Sequence, residues 1–411
     1  MSIEIRNPAG LGDYAAAIEV MSTAFLERPD VDKVAASIAT HWATERTWIA
    51  WDGARACGNF RSWATQLTIP GGATLQAAAV SAVSVLPTHR RRGILTRLAT
   101  AAHDGMVESG DPLAILLASE YPIYGRYGYG PATRDAAISV RARETTLPGE
   151  PTGSIELAPL DAGTRDVMRG VYEVARLRVA GEMWRRDVTW NLDTAQEEDA
   201  FDGKRWRGFV ALHRDAGGAV DGYARYAADP KWDDGPTGEL DVLDLHALTD
   251  AAYADIWRFR LSVDLVTTVQ AGHRPLSDPL PWLLSNPRAA GIGRVGDRLW
   301  VRILDLPRAL EARAYERSRR LVIEVTAEGN RRGTPGRWLL DAGPGGATCQ
   351  LTDGSPDVTL PLAAIGAAYL GGTRLRDAVR WSGADEHRAG ALAEADALFR
   401  TDDEPWNSTF F

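Results

Sequence analysis

Val83-Ser84-Val85-Leu86-Pro87-Thr88-His89-Arg90-Arg91-Arg92-Gly93-Ile94-Leu95 is the stretch on which the reading of this chain turns. Residues 75–85 form a long extended run that stops at Leu86-Pro87, because proline has no N–H to give to a strand ladder. From Ile94 the apolar residues fall at Ile94, Leu95, Leu98, Ala102 and Met106, the spacing of an amphipathic helix that ends near Gly110. A strand that runs through a loop into a helix gathers unpaired backbone N–H groups at the helix start. The helix dipole adds partial positive charge there, and the result is a cradle for an anion such as a pyrophosphate. Gly93 lets the backbone approach the anion, and Arg90, Arg91 and Arg92 add charge at the rim. Three arginines alone would equally suit a solvated basic loop; the long strand and the proline stop favour the cradle.

Working outward, the first segment reads as a short strand (3–5), a helix (14–26), a strand (47–51), a hairpin of two long strands (55–69 and 75–85) and a buried strand (112–118). Pro148 to Gly153 reads as a linker. Strands at 209–213, 222–228 and 238–246 and a helix at 249–261 then repeat the order of the first segment, as a diverged second copy would. In that copy Ala247-Leu248-Thr249-Asp250 replaces the arginine-glycine loop, so it is not expected to hold a pyrophosphate. A proline-rich stretch (275–287) leads to a third segment, with strands at 299–303, 320–325 and 337–341 and helices at 361–369 and 388–399.

Composition limits what the chain can do. With 411 residues, 45% hydrophobic and 25% charged, it is an ordinary globular chain, and about 150 residues per domain suggests two or three domains. A net charge of -9 with no run of five like charges argues against nucleic acid or an anionic membrane as the main partner and favours a cationic small molecule. Cys57 and Cys349 lie far apart and the histidines are scattered, so neither a disulfide framework nor a metal site is expected. No apolar run approaches a membrane span, and a cytoplasmic protein is expected. Gly291 to Gly296 matches GxGxxG, but a strand follows it instead of a helix, so a hairpin or linker is expected rather than a dinucleotide site.

The opening stretch resembles the acyl-CoA loop of the GNAT superfamily of N-acetyltransferases, R/Q-x-x-G-x-G/A after a valine-rich strand, with Leu95 at the last small position. Ser119-Glu120-Tyr121-Pro122-Ile123-Tyr124-Gly125-Arg126-Tyr127-Gly128-Tyr129-Gly130-Pro131 is similar to the tyrosine-bearing segment of the Eis (enhanced intracellular survival) branch. The resemblance implies an α/β (α+β) fold: an N-terminal acetyltransferase domain (1–148), a central GNAT-like domain without the CoA loop (149–296) and a sterol-carrier-like domain (297–411). It implies acetyl-CoA as co-substrate, no metal, a hexamer, and acetyl transfer to an amine of an aminoglycoside or similar polyamine. The alternatives are a protein lysine or N-terminal acetyltransferase and a non-enzymatic lipid-binding protein.

By the same resemblance Tyr124 is the general acid, with Tyr127 and Tyr129 as nearby competitors, and the C-terminal carboxylate of Phe411 is the general base. An α-carboxyl is a weak base unless burial raises it, and the apolar Trp406, Phe410 and Phe411 suit such a setting. Val83, Ser84 and Val85 would meet the pantetheine arm, Arg90 to Thr96 (with Ile94 and Leu95) the pyrophosphate, and Ser119 and Glu120 the edge of the cleft. Glu27, Asp30 and Asp32, or Asp402, Asp403 and Glu404, are candidates to attract a cationic acceptor.

Overall fold

The computed structural model describes residues 3–326 and 335–411. The first strands are β1 (Ile3–Arg6), β2 (Thr47–Asp52), β3 (Arg55–Thr68), β4 (Thr74–Val85), β5 (Leu113–Leu117) and β6 (Gly130–Pro131). The next run from β7 (Arg134–Arg141) through β8 (Ser154–Ala158), β9 (Phe209–Arg214), β10 (Val220–Asp229), β11 (Gly238–Ala247) and β12 (Val266–Arg274) to β13 (Ala290–Asp297), followed by β14 (Leu299–Ile303). Two mixed sheets result, ordered β1-β2-β3-β4-β5-β14-β6 and β13-β7-β12-β11-β10-β9-β8.

The chain boundaries expected at 148/149 and 296/297 are therefore not sheet boundaries. β7, from the first segment, lies inside the central sheet between β12 and β13, while β14, expected to open the third segment, pairs with β5 and β6 in the first sheet. The central sheet thus takes a strand from the first segment, and the first sheet takes one from the third. β14 is buried along its whole length, as a strand covered on both faces must be; its apolar run predicts a strand but not its partner. The GxGxxG stretch lies in β13, an edge strand of the central sheet, and is neither hairpin nor linker.

In both sheets a long strand is followed by a helix and a parallel partner: β4, a helix at Ile94–Glu108 and β5; then β11, a helix at Asp250–Leu261 and β12. The third unit is a five-stranded sheet with helices at Leu362–Ala368, Leu375–Ser382 and Ala391–Phe399. Its core is continuous with one face of the first sheet: Ile323, Leu360 and Ile365 share a cluster with Leu67, Ile115 and Val301. Backbones touch at this seam, because a Cβ on Gly366 would stand 2.2 Å from the Val301 carbonyl and one on Gly130 2.0 Å from that of Ala363. Burying this apolar face locks the third unit against the first. Among the described residues no helix is long and apolar enough to cross a membrane.

Candidate active site

The cleft begins as a fault in the first sheet. β4 and β5 are paired from Ala77↔Leu113 to Val80↔Leu116 and then separate. On its other side β4 slips register against β3 between Asn59 and Arg61, and Ala82 takes φ +54°, a left-handed conformation for a residue with a side chain. The Asn59 side chain holds this bulge by donating to the Ala82 carbonyl at 2.8 Å. Beyond it Ser84 and Val85 pair with Asn59 and Gly58, so the edge of Val83–Val85 that faces away from β3 is left without a strand partner where β5 diverges.

At the end of that open edge the helix Ile94–Glu108 starts at Gly93, which has φ +73°; no side chain caps it and no acid lies in its first turn. A Cβ on Gly93 would meet nothing within 4 Å, so its role is conformational, supplying the left-handed turn that aims the first amides outward. Arg90 and Arg91 are exposed and make no ion pair among the described residues, whereas Arg92 is pinned to Asp52 at 3.2 Å. Ile94 is buried in the core, Leu95 packs partly against it, and the Thr96 hydroxyl lies 3.3 Å from that of Tyr127. These residues fit a pyrophosphate: uncapped donors, a glycine turn and two unpaired cations.

A cavity of about 1820 Å³ opens where the β4–β5 fault faces the central sheet, and Ala82, Val83, Ser119, Tyr124 and Phe411 all line it. Burial pushes the Tyr124 phenol up to about 12, although a hydrogen bond with Ser119 pulls the other way, so the phenol stays protonated at neutral pH. The competing tyrosines are engaged elsewhere. Tyr129 is 1% exposed and shares a 3.0 Å hydrogen bond with His103, while Tyr127 is buried beside Thr96. Glu120 precedes the short helix Tyr121–Tyr124 and does not line the cavity.

Phe411 reaches the cavity because the preceding tail is threaded into the central unit. The Asn407 side chain donates to the Gly181 carbonyl at 2.9 Å. Arg185 donates to Ser408 Oγ at 2.7 Å, to Thr409 Oγ1 at 2.9 Å and to Asp244 at 2.6 Å. Its charge holds the buried Asp244 carboxyl well below the usual range. Arg298 donates to the Thr409 carbonyl at 3.3 Å, and the Phe411 ring meets Trp63 edge-on at 5.5 Å. Phe410, expected to share an apolar setting, is instead 78% exposed at the cavity wall. Sequence gives no sign of these partners, which lie more than 100 residues away in the chain.

The proposed acceptor carboxylates divide. Glu27 lines the cavity. Asp30 caps a helix by accepting from the Lys33 amide at 3.2 Å, and Asp32 lies in that helix's first turn. Asp402, Asp403 and Glu404 do not line the cavity; Glu404 instead accepts from the Ser277 amide at 2.8 Å. Acids that the sequence did not single out do line it, among them Asp193, Glu198 and Asp199 from the central unit. Among the described residues no group of three His, Cys, Asp or Glu is placed to hold a metal ion.

Residues 5–132 and 181–303 each match an acetyltransferase (GNAT) domain, and residues 306–408 match a sterol carrier protein domain. A protein named as an uncharacterized N-acetyltransferase from Streptomyces griseus is 38% identical over 99% of this chain and 99% of its own length. N-acetyltransferase Eis of Mycobacterium tuberculosis is 35% identical over 82% of this chain and 78% of its own. The crystal structure of Eis1 from Mycobacterium abscessus superposes with a TM-score of 0.85 at 31% identity, covering 100% of both chains. GNAT acetyltransferases use acetyl-CoA, and in this chain the helix that follows the long strand starts uncapped at Gly93. Two GNAT units, a sterol-carrier-like unit and homologues along most of its length make this chain a member of the Eis family of N-acetyltransferases.

Proposed function

We propose that the protein moves an acetyl group directly from acetyl-CoA to a primary amine of a small molecule, with aminoglycosides and related polyamines as the first class of acceptors to try. The observation that carries this reading is that Tyr124 and Phe411 border one cavity at the point where β4 leaves β5. The backbone edge at Val83–Val85 orients the pantetheine arm and the thioester. The amine nitrogen adds to the thioester carbonyl and gives up a proton to the Phe411 carboxylate. Collapse of the tetrahedral adduct then breaks the C–S bond, and the departing thiolate takes the Tyr124 phenol proton. Desolvation that raises the phenol also makes a thiolate in the same pocket a stronger base, which favours this transfer. Glu27, on the same wall, is suited to drawing in a cationic acceptor.

The test is steady-state release of CoA thiol from acetyl-CoA with a panel of aminoglycosides and polyamines, for the intact protein, Tyr124→Phe and a chain lacking Phe411. Turnover by the intact protein, with a large loss in both variants at unchanged acetyl-CoA affinity, is expected. Full turnover by either variant overturns the role given to that residue.

A further inference from the structure

The cavity has a cationic wall that an all-cationic acceptor leaves unused. Arg61 lies on β3 opposite Ser81, beside the Ala82 bulge, and it lines the cavity while only 5% exposed. Its guanidinium stands over Trp42 at 4.2 Å and over Trp63 at 4.7 Å, and Arg186 lies over Trp63 at 4.2 Å. Both rings stand within cation–π distance of the Arg61 guanidinium, whose N–H donors point outward in its own plane. Its Nε and Nη2 are buried without a hydrogen-bond partner, and neither arginine makes an ion pair among the described residues.

A buried cation without a counter-ion, next to a second cation, is costly. Burial and the charge of Arg186 both push Arg61 toward its neutral form, yet a guanidinium does not give up its proton in a protein. An anion bound in the plane of the fork would relieve both penalties, and a carboxylate matches the geometry with two parallel hydrogen bonds. The acids on the other wall are largely occupied: Asp193 pairs with Arg225 at 2.8 Å and Glu198 with Arg205 at 3.8 Å. Glu27 makes no ion pair among the described residues and remains available for an ammonium group.

We infer that Arg61, assisted by Arg186, is a carboxylate-binding subsite, and that the preferred acceptor carries a carboxylate as well as the amine that is acetylated. The acceptor class is then the amino acids and amines derived from them without loss of the carboxylate. This rests on the amine-transfer reading above and narrows it, so that polycations become secondary acceptors. Arg61 is a specificity residue here and takes no part in proton transfer.

The experiment compares amino acids with their decarboxylated partners: lysine with cadaverine, ornithine with putrescine and phenylalanine with phenethylamine. Each is titrated calorimetrically into the full chain saturated with CoA, so that binding is read without turnover, and acetyl transfer to each is measured separately. In at least one pair the carboxylate-bearing member is expected to bind about tenfold to a hundredfold more tightly. Arg61→Met is expected to abolish that preference and Arg61→Lys to restore part of it, since the charge returns without the fork. CoA affinity and thermal unfolding report whether each variant folds, and Arg186→Met gives a smaller loss from a less buried position. Equal or weaker binding of the carboxylate member in every pair overturns the subsite, as does a preference that survives in folded Arg61→Met and Arg186→Met. Preferential binding without acetyl transfer keeps the subsite and sinks the transfer reading, whereas transfer without preference does the reverse.

Discussion

The first and central units share one topology, and the same two places decide what each can hold. In the first, β4 and β5 part after Val80↔Leu116 and the following helix starts uncapped at Gly93. In the central unit, β11 and β12 part in the same way after Val242↔Ala271, but the helix Asp250–Leu261 starts at Thr249, whose hydroxyl already accepts from the Ala252 amide at 3.0 Å. Asp250 adds a negative charge to that first turn. An anion meets open donors in one unit and a filled, repelling cap in the other.

The fault between strands is also filled in the central unit. Trp406 packs there, 5.9 Å from the His246 ring and 4.9 Å from the Arg274 guanidinium, and Ser408 lies within 3.3 Å of His246. The space that a pantetheine arm would use in the first unit is used in the second to seat the protein's own tail. The central unit keeps the fold as a socket: by gripping residues 406–409 it delivers Phe411 to the cavity of the first.

The strongest way to break this division of labour is at its chemical end. Tyr124→Phe keeps the shape of the pocket and removes the proton, and kcat is expected to fall about a hundredfold in the thiol-release assay. Next is the cap. Gly93→Asp puts a negative charge at the first unit's helix start and a side chain on its left-handed turn, and acetyl-CoA affinity by calorimetry should fall about thirtyfold to a hundredfold, through like-charge repulsion at the donors and strain at φ +73°. The socket comes third. Arg185→Lys retains a charge for Asp244 but loses the fork that holds Ser408 and Thr409, and kcat is expected to drop about tenfold with acetyl-CoA affinity unchanged. Loss of acetyl-CoA affinity in this variant would mean that the tail's anchor supports the first unit's fold as well.

The smallest effect is in the pH profile. The phenol of Tyr124 is raised to about 12, above its ordinary 10, so its protonated form is fully present below pH 10 and is lost only as pH rises through 12. The kcat profile should therefore show no basic limb due to Tyr124 below about pH 10, and a limb near 8 that disappears in Tyr124→Phe would contradict the assigned environment.

The helix, glycine and arginines around Gly93 were legible because they are contiguous, and so was the absence of such a loop in the central unit. The placing of β7 and β14 was not: the apolar run at 299–303 predicts a strand without naming its neighbours, and nothing in residues 134–141 points to a place between β12 and β13. The bulge at Ala82 left no signal either, because it depends on Asn59 reaching across from β3. Glu27 is among the acceptor candidates that the sequence offers, but Arg61 is not: a lone arginine in a strand looks solvated until Trp42 and Trp63 are seen beside its guanidinium.

The most direct test of the division between the two units is the stoichiometry of acetyl-CoA binding to the intact chain and to Gly93→Asp, read by calorimetric titration. One site per chain, lost or severely weakened in Gly93→Asp, is the predicted result. Two sites in the intact chain, or a single site indifferent to Gly93→Asp, would contradict it and return the central unit to the list of cofactor-binding domains.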